Sequence, residues 1–131
     1  MKKKKRADRL PPFAAILNDE MLSTAYRELS GSAAKAYPHF KRFDGICKKK
    51  NGVKYSVPFD FTYTEAEKLG FARRTFSRVI GELHGKGFID IIEHGGMRGC
   101  GLSNTKYKLS SRWIDYGKRG FLNYSRYPSE P

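Results

Sequence analysis

Two amphipathic segments joined by a very tight turn constrain the fold of this 131-residue chain more than any other feature. The first follows a capping box at Thr62 and Glu65, where a hydroxyl and a carboxylate satisfy free amides at a helix start, and it ends at Gly70. The second runs over residues 73–86 and is stopped by Gly87. Two helices with so short a connection predict a helix-turn-helix unit.

The second of these helices has two unlike faces. With about 100° of rotation per residue, one stripe is apolar and consists of Phe76, Val79, Ile80 and Leu83. The opposite side carries Arg74, Arg78, Gly81 and Gly85, with Ser77 on one flank. We therefore expect an inward apolar stripe and a basic, shallow outer face. Each glycine lowers helix stability by about 1 kcal/mol relative to alanine in a helix interior. Either close approach of another backbone compensates for this loss, or the packed helix tolerates it.

Upstream of this unit, the sequence predicts two helices. The first begins near Asn18 and ends before Ser32, which is expected to cap the second. Pro38 lacks a backbone donor and is expected to kink or split that second helix. Asp44-Gly45 and Asn51-Gly52 are turn dipeptides, so chain reversals are expected at both.

The remaining patterns are those of strands. Apolar and polar residues alternate over 53–61, where Pro58 places the strand at a sheet edge or at its own end. Residues 88–94 and 105–110 predict an antiparallel pair. The loop between them holds four glycines in residues 95–101, with Arg98 at its tip. The pattern as a whole predicts an α+β fold with helices packed on a small antiparallel sheet.

Charge is the most informative feature of the composition. The chain has 26 Lys and Arg against 13 Asp and Glu, a net charge of +13, which favours a polyanionic partner. We expect residues 1–12 to form a flexible basic arm, residues 13–116 one domain closed by Trp113 and Tyr116, and residues 117–131 a C-terminal tail. The excess charge extends beyond the arm into the domain.

Other features of the composition indicate where in the cell the protein is expected. The hydrophobic fraction of 39% is enough for a core, while the longest apolar runs are too short to span a membrane. No apolar segment of secretory length follows the basic N-terminus, so no signal peptide is expected. Cys47 and Cys100 do not make a disulfide framework and are expected as free thiols in a reducing cytoplasm, with the protein on the nucleoid if the polyanionic partner is DNA.

The order of predicted elements resembles the winged helix-turn-helix DNA-binding fold over residues 19–110. The segment TYTEAEKLGFARRTFSRVIGELHGKGFIDII is similar to an element shared by MarR-like regulators and small phage or plasmid replication-associated proteins. Positions that match the pattern are Gly70, Ser77, Arg78, Leu83, Lys86, Gly87 and Ile89. The ending YKLSSRWIDYG also looks like the tail of small bacterial and phage winged-helix proteins. Ala72 departs from the usual Ser or Thr cap, and the long dimerisation helices of MarR-like regulators are absent.

The resemblance implies that residues 72–86 form a recognition helix that enters the major groove of double-stranded DNA. Arg74 and Arg78 are then candidates to bind guanine edges, while the glycine-rich loop forms the wing. The full set of expected DNA contacts is Arg73, Arg74, Thr75, Ser77, Arg78, Arg98, Lys106 and Lys108. The implied role is a transcriptional regulator or a replication-associated factor of a bacterium or mobile element. The oligomeric state stays open between a monomer and a homodimer.

Other chemistry has little support in the sequence. The loop GGMRGCG lacks the Lys-Ser/Thr of a phosphate-binding P-loop, so no nucleotide cofactor is expected. His84, His94 and Cys100 lack metal-ligand spacing, and we expect them as surface residues with no metal. No nucleophile and base can be paired, so we expect no enzyme activity. The alternative function is a non-catalytic winged-helix module that binds an acidic protein or RNA.

Overall fold

The computed structural model describes residues 11–93, 96–97, 102–103 and 105–122. Within these ranges the chain is an α+β structure with five α-helices packed on a small antiparallel sheet of three strands. The helices are α1 (Asn18–Leu22), α2 (Thr24–Arg27), α3 (Gly31–Asn51), α4 (Tyr63–Lys68) and α5 (Arg73–Lys86). The strands are β1 (Phe59–Asp60), β2 (Ile89–Glu93), β3 (Gly96–Met97), β4 (Leu102–Ser103) and β5 (Lys106–Leu109). None of the helices described is long and apolar enough to cross a membrane.

The first predicted helix is two short helices, because Ser23 ends α1 and caps α2. Its hydroxyl donates to the Glu20 carbonyl at 2.6 Å and accepts from the Tyr26 amide at 3.1 Å. The Glu20 side chain is buried, and its carboxylate accepts hydrogen bonds from the Tyr37 hydroxyl at 2.6 Å and the Lys41 ammonium at 2.8 Å. Through these hydrogen bonds the Glu20 carboxylate joins α1 to α3.

Helix α3 corrects three expectations. Ser30, not Ser32, is the N-cap, and its hydroxyl accepts from the Ala33 amide at 3.2 Å. The helix continues through Pro38 for 21 residues and includes Asp44-Gly45, so neither a split nor a turn occurs there. Apolar side chains on both sides of Pro38 are buried in the same core, and this packing outweighs the lost backbone bond. The predicted turn at Gly52 is confirmed, since Gly52 ends α3 with φ +65°.

Only part of the strand predicted over 53–61 forms, as β1. Before β1, a side chain and not the backbone makes the hydrogen bond to β5. The Ser56 hydroxyl accepts from the Leu109 amide at 3.2 Å and donates to the buried Asp44 carboxylate at 2.6 Å. Pro58 then has no amide to donate, so regular pairing begins only at Phe59, opposite Tyr107. The sheet order is β1-β5-β2, which places buried Tyr107 in the central strand.

The predictions for α4 and α5 are confirmed. Thr62 and Glu65 form the capping box of α4, with hydrogen bonds of 2.9 and 3.0 Å between side chains and amides. The apolar stripe of α5 is buried along its whole length, from Phe76 to Leu83. Phe76 contacts aromatic rings on α3, α4 and the loops around them, namely Phe40, Phe61, Tyr63 and Phe71. This packing fixes which side of α5 faces outward.

The end of α5 is held by a close approach of the C-terminal segment. Gly87 has φ +91°, and a Cβ atom there would lie 2.6 Å from the Trp113 amide nitrogen. That amide donates to the Gly87 carbonyl at 3.1 Å, and the Trp113 ring stacks on Phe88. Arg112 secures the same junction by donating to the His84 carbonyl at 3.0 Å and to Asp90 at 2.9 Å. The expectation that Trp113 closes the core is therefore confirmed.

Two glycines close together in the chain should respond in opposite ways to alanine. A Cβ at Gly85 meets no atom within 4 Å and sits in a helix, so Gly85→Ala should raise stability by about 1 kcal/mol. Gly87→Ala combines a positive φ with a backbone clash and should cost at least about 1 to 3 kcal/mol. Urea denaturation of both variants measures this. Equal responses would contradict the close contact at Gly87.

Glu20 should give the fold a distinct acid sensitivity. Burial alone raises the pKa of Glu20, but hydrogen bonds from Lys41, Tyr37 and the Leu17 amide together lower it below its usual value. The carboxylate therefore stabilises the fold above the unfolded pKa of about 4.3, and this contribution is lost as the pH falls towards the lowered folded pKa. Glu20→Gln should reduce stability at pH 7 and flatten this acid limb. Glu67→Gln, at an exposed ion pair, is the control and should change stability at pH 7 by less than about 0.5 kcal/mol.

Candidate nucleic-acid interface

The turn between α4 and α5 sets the direction in which α5 begins. Gly70, which follows the C-cap of α4, has φ +96°, and the Phe71 amide then donates to the Ala66 carbonyl at 2.9 Å. Phe71 is buried, so the chain is anchored immediately before Ala72, the N-cap of α5. The turn is thus held by this hydrogen bond and by the burial of the Phe71 side chain.

The N-terminus of α5 differs from that of α4. Ala72 provides no side-chain cap, and the first turn contains no acidic residue. It carries Arg73 and Arg74 instead, next to amides that no capping side chain occupies. Since a helix N-terminus has a partial positive charge, this end of α5 is electrostatically suited to an anion.

Arg74 and Arg78 lie on the outer face, as the sequence predicts. Both side chains are exposed, and neither makes an ion pair with any residue in the described ranges. The one acidic residue of α5, Glu82, is occupied elsewhere, because it accepts hydrogen bonds from the Ser30 amide and, at 2.8 Å, from the Ser30 hydroxyl. The two guanidinium groups therefore have no competing carboxylate from their own helix.

The other predicted DNA contacts on α5 are either paired or half-buried. Arg73 forms an exposed ion pair with Glu67 at 3.5 Å, and its guanidinium lies 5.6 Å from the centre of the Tyr63 ring. Thr75 and Ser77 are half-buried on the flanks of the helix. These three residues belong to the same end of α5 as Arg74, but Arg73 is paired and Thr75 and Ser77 are half-buried.

The predicted contacts in the sheet region are divided. The Lys106 ammonium lies 2.6 Å from the Asp60 carboxylate, and this hydrogen bond raises the pKa of Lys106. Its charge is therefore retained but already balanced by a neighbour. Lys108 is half-buried on the same strand, and its register partner in β2 is Asp90, whose carboxylate is taken by Arg112. Of the two lysines, Lys108 is the one whose charge no ion pair offsets within the described ranges.

The glycine-rich hairpin is described only in part. Strands β3 and β4 pair antiparallel, with Gly96 opposite Ser103 and Met97 opposite Leu102. Arg98, His94 and Cys100 lie outside the described residues. The predicted role of Arg98 stays a prediction.

His84 corrects an expectation. It is 4% exposed, not a surface residue, because it follows Leu83 and lies one turn after Ile80 on the buried side of α5. In the described parts of the chain, no three His, Cys, Asp or Glu side chains cluster in a way that could hold a metal ion.

The structure also brings together residues that the sequence analysis did not single out. Lys35, His39 and Arg42 follow one face of α3 at intervals of four and three residues. Lys35 lies 5.1 Å from the centre of the Phe71 ring, and the His39 ring is 6.5 Å from the same ring. The spacing is a helical signal that is visible only once α3 is continued through Pro38.

Comparisons with protein-family models, with curated proteins and with solved structures found no match for this chain.

Proposed function

We propose that this chain is a winged helix-turn-helix protein that binds double-stranded DNA by placing α5, within residues 72–86, in the major groove. The order α3, β1, α4, α5, β2, hairpin and β5, with strands in the order β1-β5-β2, supports this fold. In this proposal the hairpin β3-β4, which lies between β2 and β5 in the chain, is the wing. An α-helix with its side chains is about 10–12 Å in diameter, and the major groove is about 12 Å wide, so the 14-residue α5 is suited to it.

One observation carries the proposal. The inner face of α5 is completely buried, while its outer face presents Arg74 and Arg78 without an ion-pair partner in the described ranges. Two guanidinium groups one helical turn apart can form bidentate hydrogen bonds with guanine edges or hold adjacent phosphates. The uncapped N-terminus of α5 adds free amides for a phosphate.

The proposed biological role is a transcriptional regulator or a replication-associated factor, without catalysis and without a cofactor. Selection of bound fragments from random duplex DNA tests the sequence-specific part of this role. An enriched motif supports it. Binding of RNA or of an acidic protein in preference to duplex DNA supports the alternative interaction module instead.

Duplex binding should weaken strongly with salt. Arg73, Arg74, Arg78 and Lys108 together provide four cations that displace condensed counterions, so the slope of log affinity against log salt should have a magnitude of about 3 or more. Fluorescence anisotropy at several salt concentrations measures the slope. A slope near zero, or no duplex binding at low salt, contradicts the proposal.

Arg74→Ala and Arg78→Ala should weaken binding without unfolding the protein. Both are exposed helical positions that tolerate alanine, so stability should change by less than about 0.5 kcal/mol. Loss of a base contact should cost about 1 to 3 kcal/mol of binding free energy and relax the preference at one position, whereas loss of a phosphate contact should weaken all sequences evenly. Titrations on the selected motif and on scrambled DNA separate the two.

Arg27→Ala is the matched control for these variants. Arg27 is an exposed helical arginine on α2 that makes no ion pair with a described residue. Its loss removes the same charge and should change affinity by less than about twofold, as expected for a charge outside the interface. If Arg27→Ala weakens binding as much as Arg74→Ala does, affinity depends on net charge and α5 is not the docking helix.

A further inference from the structure

We propose that the exposed face of α3 formed by Lys35, His39 and Arg42, called here the α3 basic face, is a second DNA contact that binds phosphates flanking the site of α5. This inference rests on the proposed function and extends the footprint from one helix to two. It concerns residues that the fold places beside the start of α5.

Geometry connects the α3 basic face to the α4-α5 turn. The Lys35 ammonium lies 5.1 Å from the centre of the Phe71 ring and close to Gly70, where a Cβ atom would come within 3.7 Å of it. His39 packs edge-on against the same Phe71 ring. Because Phe71 immediately precedes the N-cap of α5, Lys35 and His39 lie beside the helix end that is proposed to meet DNA.

The side chains form one connected group. The Arg42 Nη2 atom lies 3.4 Å from His39 Nδ1, and the Arg42 guanidinium is 4.5 Å from the centre of the Phe43 ring. Aromatic rings thus lie against the charged ends of Lys35 and Arg42, while both residues remain exposed. A cationic face whose side chains are already positioned loses less conformational entropy when it binds an anion.

The acidic residues of this part of the fold do not offset the α3 basic face. Asp44 is the one acidic residue of α3, and it is buried and paired with Lys48 at 3.2 Å. Glu67 of α4 is paired with Arg73. Neither Lys35 nor Arg42 makes an ion pair with a residue in the described ranges. Three basic side chains without a carboxylate partner match the phosphates of a nucleic acid backbone.

His39 gives the surface a second measurable property. Burial lowers the pKa of His39, and the charges of Arg42 and Lys35 lower it further. The α4-α5 turn packs against His39 with Phe71, which is uncharged. The two charges that lower the pKa of His39 therefore both come from α3. A phosphate at this face would raise the pKa again, and binding would then take up a proton. Affinity should therefore rise as the pH falls through the range between the free and bound pKa values.

The main test removes charge from the α3 basic face in the full chain. Lys35→Gln with Arg42→Gln should weaken binding to a duplex of about 30 base pairs that carries the selected motif by about tenfold or more. The salt slope should fall in magnitude by about 2, as for two lost phosphate contacts. The preferred motif should not change, because phosphate contacts carry no base information.

Three further variants make the test specific. Lys118→Gln with Arg119→Gln removes the same two residue types from an exposed segment beyond Tyr116, which contacts Lys86 at the opposite end of α5. This control should change affinity by less than about twofold. Lys35→Arg with Arg42→Lys keeps both charges and should retain wild-type affinity. His39→Gln should abolish the part of the affinity gain between pH 7.5 and pH 5.5 that depends on proton uptake.

The outcomes separate this inference from the proposed function. If the Lys35 and Arg42 double variant binds as tightly as the Lys118 and Arg119 control while Arg74→Ala still weakens binding, the α3 basic face is not a contact and the role of α5 stands. If charge removal on α3 weakens binding while Arg74→Ala and Arg78→Ala do not, a DNA contact at the α3 basic face is supported and docking by α5 is contradicted. No duplex binding by the wild-type chain overturns both.

Discussion

The burial of Phe76 is the contact on which the rest of the structure depends. Its ring is fully buried and lies between aromatic residues of α3, the segment after β1, α4 and the α4-α5 turn. Aromatic pairs add about 0.5 to 1.5 kcal/mol beyond the area they bury, so this cluster holds α5 in one rotation about its axis. That rotation turns Arg74 and Arg78 outward and places the Phe71 turn against α3. The candidate interface is therefore a consequence of core packing.

The distribution of acidic residues explains how an excess of positive charge becomes localised. In the described parts of the chain, six carboxylates are engaged in ion pairs that join elements or stabilise a helix. The pairs are Glu20 with Lys41, Glu28 with Lys86, Asp44 with Lys48, Asp60 with Lys106, Glu67 with Arg73 and Asp90 with Arg112. Apart from Arg73 of α5 and Lys106 of β5, none of the residues in these pairs belongs to the proposed contacts. The cations left over on α5 and α3 have no ion-pair partner among the described residues and contribute a local positive field.

The sequence predicted α4 and α5 well because their signals are local. A capping box, two glycine stops and a periodic apolar stripe each act within a few residues, and all of them agree with the burial observed. The extent of α3 was not predictable in this way. Pro38 and Asp44-Gly45 are local signals against a helix, but the buried faces on both sides of Pro38 and the bonds of Asp44 to Ser56 and Lys48 outweigh them. Apart from Lys48, which lies four residues along the same helix, those partners come from the core and from the segment after α3.

The sequence by itself determined the helix-turn-helix pair, the inward stripe of α5, the outward position of Arg74 and Arg78 and the large positive charge. Tertiary structure alone decided that Lys106 is balanced by Asp60, that His84 is buried and that Lys35 and His39 lie against Phe71. The physical reason is the range of the interactions. Periodicity and capping are set by neighbours along one helix, whereas ion pairing and burial depend on which elements the core brings together.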